Sequence, residues 1–172
     1  GKKLAVALYG WYDGSFNNYP AFELYDFDNT TGVVSNSLAL IPNLTSTNNP
    51  SSWGVEFSPD GTKLYGAVYS SAGINKGLFQ WDLCAGSNTA IAASLYTITN
   101  VGTNNFGAIQ QAPNGKLYVA RNNGNQQSLD VINNPNGLGA ACNYSANAQS
   151  TAPRFSYWGL PNFMGSYFVQ TP

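Results

Sequence analysis

Histidine is missing from all 172 residues. That excludes a Ser-His-Asp triad, a Cys-His nucleophile pair and every imidazole-ligated metal site. Charge is nearly as scarce, since charged side chains make up 9% of the chain against about a quarter in ordinary soluble domains. The 7 cations are scattered and the net charge is −1. Nothing here neutralises a phosphate backbone, so nucleic acid is not an expected partner. No polybasic run marks a membrane surface, and no apolar run approaches the ~18 residues of a membrane-spanning helix. No segment has the pattern and length of an ordinary helix. Cysteine is limited to Cys84 and Cys142, too few and too far apart for a metal cluster.

Aromatics, by contrast, reach 14%, and there are 18 glycines. Asn, Ser, Thr and Gly stand where a cytosolic protein carries Lys and Glu. The result is a polar, uncharged surface typical of secreted proteins, so an extracellular or cell-surface location is expected. In an oxidising compartment the even cysteine count reads as one Cys84–Cys142 disulfide, the alternative being two separate thiols. The length suits one domain with a sizeable core.

An internal repeat is the main signal. Trp53-Gly54-Val55, Phe106-Gly107-Ala108 and Trp158-Gly159-Leu160 share an aromatic-Gly-apolar start, spaced 53 and 52 residues apart. Two of the three run on into a turn and a second strand. Ser58-Pro59-Asp60-Gly61 leads to Lys63-Leu64-Tyr65-Gly66-Ala67, and Ala112-Pro113-Asn114-Gly115 leads to Lys116-Leu117-Tyr118-Val119-Ala120. Asp-Gly and Asn-Gly favour the positive φ of tight turns, so each pair marks strand, turn and strand. Gly1 to Ala7 matches the turn glycine and second strand of the same unit. A third strand follows at Phe22–Phe27, Leu78–Leu83 and Ser128–Ile132. A fourth is expected at Val33–Leu40 and at Ala90–Ile98, while the third unit departs from the pattern at Asn133–Gly139.

Four strands per ~50 residues is the arithmetic of a β-propeller blade. The expected fold is all-β: a β-propeller of four-stranded antiparallel blades of about 53 residues, an incomplete ring of about three. Residues 1–52 form a blade lacking its first strand, 53–105 and 106–157 form full blades, and 158–172 supply a terminal strand. Natural rings have about four to eight blades. The remaining blades of a longer parent, or a second copy of the chain, are therefore expected partners.

These pieces also carry a family likeness. Tyr25-Asp26-Phe27-Asp28-Asn29-Thr30-Thr31-Gly32-Val33-Val34-Ser35-Asn36, Gly54 to Gly61, Val131 to Asn136 and above all Gly159-Leu160-Pro161-Asn162-Phe163-Met164-Gly165-Ser166-Tyr167-Phe168 carry it. On them the chain resembles the propeller module of large surface and secreted proteins of Bacteroidetes-type bacteria, the gliding-motility-associated, type IX secretion cargo family. The resemblance implies export and a larger parent protein, in which this chain is the C-terminal part of the propeller. It implies no particular activity.

Candidate chemistry is sparse. The carboxylates are Asp13, Glu23, Asp26, Asp28, Glu56, Asp60, Asp82 and Asp130. Asp28 and Asp60 fall in turn formulas, where a structural role is expected. Asp26 to Asn29 faintly resembles a calcium loop without its full ligand series, and a solvated turn is the plainer reading. Glu56, on an innermost-type strand, reads as a solvated carboxylate facing the channel, with a ligand role as the alternative. Asn29, Asn43 and Asn143 head Asn-X-Ser/Thr sequons, at the frequency chance gives so Asn-rich a chain. No metal and no cofactor is expected.

The loops on one propeller face are the expected binding surface. They hold Trp11, Tyr12, Asp13 and Tyr19; Tyr69 onward; and Arg121, Asn122 and Asn123. Rings beside amides suit sugars, and Trp, Tyr and Arg suit protein partners. Trp11 and Tyr12 have the alternative of packing their loop onto its own blade. Trp53, Trp81 and Trp158 recur at strand positions and are expected in the core. The expected function is a non-enzymatic extracellular module for protein or glycan binding, adhesion or scaffolding. The alternatives are a carbohydrate lyase or glycosidase sharing its carboxylates with other blades, and a structural subunit assembling through open blade edges.

Overall fold

The computed structural model describes residues 2–8, 22–40, 50–70, 77–100, 105–122 and 124–161. The chain is all-β, with three antiparallel sheets, each built by neighbouring strands in chain order. The first sheet is β1 (Lys3–Ala7), β2 (Phe22–Phe27) and β3 (Val34–Leu40). The second is β4 (Pro50–Phe57), β5 (Lys63–Ser70), β6 (Gly77–Asp82) and β7 (Tyr96–Thr99). The third is β8 (Phe106–Gln111), β9 (Leu117–Arg121), β10 (Ser128–Ile132) and β11 (Tyr144–Ser150). No closed ring forms among the described residues.

The repeat survives at the level of single contacts. Lys3 pairs with Asp26 at 2.6 Å, Lys63 with Asp82 at 3.2 Å, and the Lys116 ammonium donates to Asn133 Oδ1 at 2.9 Å. Lys3 and Lys63 open their second strands and Lys116 directly precedes one; Asp26 is the next-to-last residue of its third strand, Asp82 closes one and Asn133 directly follows one. The turns between first and second strands repeat as well. Asp60 Oδ1 accepts from Ser58 Oγ at 2.7 Å and from the Thr62 amide at 3.0 Å. In the next unit Asn114 Oδ1 accepts the Lys116 amide at 3.1 Å.

Two cores separate the three sheets. Phe22, Leu24 and Leu40 of the first sheet meet Leu64, Val68, Phe79, Trp81 and Ile91. Tyr65, Ala67 and Leu78 on the opposite face of the second sheet meet Phe106, Ile109, Leu117, Val119, Ile132 and Cys142. Residues along β5 and β6 alternate between these two cores, as a pleated strand buried on both faces must. Both strands therefore read as nearly unbroken apolar runs.

The aromatic-Gly repeat has a steric cause. A Cβ on Gly54 would lie 2.5 Å from the Gly107 carbonyl oxygen, and one on Gly107 would run into the Trp158 carbonyl oxygen. The first strands of successive units approach backbone to backbone, and only glycine permits that distance. The Ala108 amide donates to Trp158 O at 2.7 Å across the second of these contacts.

Three sequence expectations need correction. The segment expected as a strand from Ala90 begins as a short helix, α1 (Asn88–Ala93), and β7 follows it. Ser87 caps it, its hydroxyl accepting the Ala90 amide at 3.2 Å, and the alanines favour helix over strand. The third unit does have a fourth strand, β11, reached through a 3₁₀ turn at Gly139–Cys142. Cys84 and Cys142 are both free. Cys84 lies exposed just after β6, whereas Cys142 is buried in the second core, so the expected disulfide is not formed.

The connection 133–142, irregular in sequence, packs back onto the second sheet. Tyr65 donates to Pro135 O at 2.6 Å, and Gln80 Nε2 donates to Gly137 O at 2.8 Å. The Gly139 amide donates to Gln80 Oε1 at 2.7 Å. A fully buried glutamine thus has both ends of its amide paired, as a buried polar group requires.

Candidate functional site

Each sheet has a turn end, where first and second strands join, and a loop end, where β5 finishes and β4 and β6 start. At the loop end three rings gather. Trp53 on β4 and Trp158 have centroids 5.1 Å apart at 34°. Tyr69 on β5 stands edge-on to Trp158, at 5.3 Å and 70°. Trp53 is 42% exposed, and Tyr69 and Trp158 are half-buried.

This corrects the expectation that all three repeat tryptophans are core. Trp81 is buried completely, packed edge-on to Phe22 at 5.4 Å. Trp53 and Trp158 instead open to the surface. Trp53 lies in the first half of β4, and Trp158 lies outside any strand. Their place beside the loop end was the sequence signal that could have singled them out.

Arg121 is a second correction. It was expected to present its charge on the loop face, yet it is 5% exposed and pairs with fully buried Asp130 at 3.4 Å. Asp130 also accepts from the Tyr144 hydroxyl at 2.6 Å and from the Asn147 amide at 2.8 Å. Arg121 donates further to Asn147 Oδ1 at 2.6 Å and to Gln126 Oε1 at 3.3 Å. Burial and the Asp130 carboxylate hold the Tyr144 phenol well above its ordinary range. Arg121 therefore knits β9, β10 and β11 together rather than meeting a ligand.

Asn122 closes a local turn, its amide donating to Asn105 O at 2.9 Å and its side chain accepting from Gly124 at 3.3 Å. Trp11, Tyr12, Asp13, Tyr19 and Asn123 lie outside the described residues, as does the Asn43 sequon. Among the described members of the expected loop-face group, Tyr69 alone is placed at an exposed aromatic cluster.

Among the described residues the carboxylates do not converge. Asp26 is held by Lys3 and Asn36, which draw its carboxyl below the usual range. Asp28 accepts the Thr30 amide at 2.8 Å and closes its turn. Asp60 and Asp82 belong to the turn end of the second sheet. Glu56 spans two sheets there, accepting from the Gln111 amide at 3.3 Å and from its own neighbour Phe57 at 3.0 Å. Burial raises its carboxyl above the ordinary range against those two bonds. Among the described residues no group of three or more metal-ligating side chains forms, and no helix is long and apolar enough to cross a membrane.

No protein-family model matches this chain, and no curated protein matches it.

Proposed function

We propose that the three sheets are successive blades of a β-propeller from an exported bacterial surface protein, and that the module binds a glycan without catalysis. The observation that carries the binding reading is the open aromatic platform of Trp53, Tyr69 and Trp158 at the loop end. Indole and phenol rings offer flat apolar faces to the C–H faces of a sugar. The uncharged, amide-rich composition suits hydroxyl groups better than ionic ligands.

Three features support the propeller architecture. Meander sheets follow one another in chain order. The Lys-to-acceptor pair recurs in every unit, and first strands meet through glycine. Export and the larger surface protein rest on the family resemblance and on the composition. The competing reading, carbohydrate cleavage, needs an acid and a base near the platform. Among the described residues Asp26, Asp28, Glu56, Asp60 and Asp82 stand toward the turn ends and Asp130 is locked in an ion pair. That leaves Glu23, near the start of β2 and accepting from the Tyr25 hydroxyl, as the one described carboxylate toward a loop end.

The test is affinity electrophoresis of the full chain in gels containing β-glucan, xylan, chitin or peptidoglycan fragments, followed by titration of tryptophan fluorescence. Retardation by at least one polymer, weakened about tenfold by Trp53→Ala at unchanged circular dichroism, is the expected result. No retardation by any of them, or retardation indifferent to Trp53→Ala, would overturn glycan binding at this platform.

A further inference from the structure

After β11 the chain turns back across the loop end of the third sheet. The Thr151 amide donates to Gln127 O at 2.9 Å and the Ser156 amide to Gln126 O at 2.6 Å, both acceptors lying just ahead of β10. Ser156 Oγ accepts the amide of Arg121, the last residue of β9, at 3.3 Å. Trp158 O then accepts from Ala108 on β8. The connection 151–158 therefore passes the ends of β10, β9 and β8 in turn and finishes at the aromatic platform. Neighbouring strands lie about 4.8 Å apart, so from β10 to β8 it covers about 10 Å.

This crossing is anchored along its length and carries rings on its outer side. Thr151 Oγ1 donates to Arg154 O at 2.9 Å, the Arg154 amide to Thr151 O at 2.9 Å, and Gln127 Nε2 to Pro153 O at 3.3 Å. Ser156 is 6% exposed, whereas Phe155 and Tyr157 on either side of it are 44% and 57% exposed. Ser156 turns inward to meet Arg121, which turns its two neighbours outward as in any extended stretch. Neither ring packs into a core cluster. A single exposed apolar side chain is ordinary, but two rings on an anchored segment leading to three more are a patch that marks a contact surface.

We propose that Phe155 and Tyr157 extend the Trp53, Tyr69 and Trp158 platform into a track, and that its ligand is several consecutive units of a linear glycan chain rather than a single sugar. The inference rests on the glycan reading of the platform and names its substrate class. A sugar unit stacks on one ring at a time, so rings spread along a crossing of about 10 Å serve successive units of one chain. Backbone bonds already hold the segment that carries them, so little ordering remains to oppose binding.

Calorimetric titration of the full chain with oligosaccharides cut from each polymer of the gel screen, disaccharide against hexasaccharide, tests it. In at least one series the hexasaccharide is expected to bind at least about tenfold more tightly, or to be the only one of the two that binds. A variant carrying both Phe155→Ala and Tyr157→Ala should cut that gain to about fivefold or less, the part a longer chain has simply by offering more registers. Trp53→Ala should weaken whatever binds. Phe155 and Tyr157 are exposed, so the double variant should keep the wild-type circular dichroism. Equal affinity for the two lengths would overturn the track and leave the platform standing. So would a gain that survives the double variant, or retardation by a polymer whose hexasaccharide does not bind. No binding of any polymer or oligosaccharide would overturn the glycan reading and the track together.

Discussion

Arg121 and Asp130 meet at 3.4 Å inside the joint between the second and third sheets. In the joint before it, the same repeat positions are filled by Val68 and Phe79, both buried. One inter-sheet contact is thus apolar and the next ionic, on one backbone plan. The ionic version brings its own partners, since Tyr144 and Asn147 supply the other hydrogen bonds of Asp130. Arg121 Nε, also buried, is left without a partner among the described residues.

Removing one member of that pair strands the other charge. Asp130→Ala is expected to cost about 3–5 kcal/mol in urea unfolding. Replacing both with the residues of the preceding joint, as Arg121→Val with Asp130→Phe, should recover at least about 2 kcal/mol of that loss. A double variant no more stable than Asp130→Ala would show that the two joints are not equivalent.

Gly107 has no room for a methyl group against Trp158. Gly107→Ala should lower stability by about 1–3 kcal/mol through backbone displacement. Gly159→Ala should change the melting temperature little, because among the described residues nothing lies within 4 Å of its Cβ position. Thermal melts of the two variants side by side check the contrast.

The free cysteines differ in exposure and should differ in reactivity. Cys84 is exposed and should alkylate with iodoacetamide in the native protein. Cys142 is buried and its thiol is pushed up by that burial, so it should react only after unfolding. Intact mass after native labelling is expected to show one adduct. Two equal adducts at native pH, or a mass gain of two daltons on reduction alone, would contradict this arrangement.

Glu56 sets a pH dependence. Its carboxyl is raised above the unfolded value of about 4.3 because burial outweighs its two backbone donors. The folded state therefore holds the proton more tightly, which stabilises fully below about pH 4.3 and is lost as pH rises through the raised value. The stability of the wild type relative to Glu56→Ala should accordingly fall with rising pH over that window. Urea midpoints of both proteins between about pH 4 and 7 measure it. A difference constant across the range would place Glu56 in water.

Much of the architecture was legible because it is local or periodic. The Asp60-Gly61 and Asn114-Gly115 turns, the alternation of β2 and the 53- and 52-residue spacing each follow from short-range preferences repeated along the chain. The helix at Asn88–Ala93 was missed because its alanines also fit a buried-strand reading. Its start depends on the Ser87 cap, a single side chain. The irregular stretch 133–142 looked like a departure from the repeat; its purpose appears only where Gln80 and Tyr65 receive it from another sheet.

The sequence by itself determined the repeat, the all-β character and the exclusion of histidine chemistry, since these depend on residue identity and on spacing along one chain. Tertiary structure alone decided which side chains face water. Trp53 and Trp81 are the same residue type at similar strand positions, yet one opens at the loop end and the other fills a core. Arg121 looks like a surface cation until Asp130, brought beside it by the pairing of β9 with β10, neutralises it in the interior. Burial is a property of what lies across the joint between sheets. No local pattern carries that information, because the covering residues come from a different repeat.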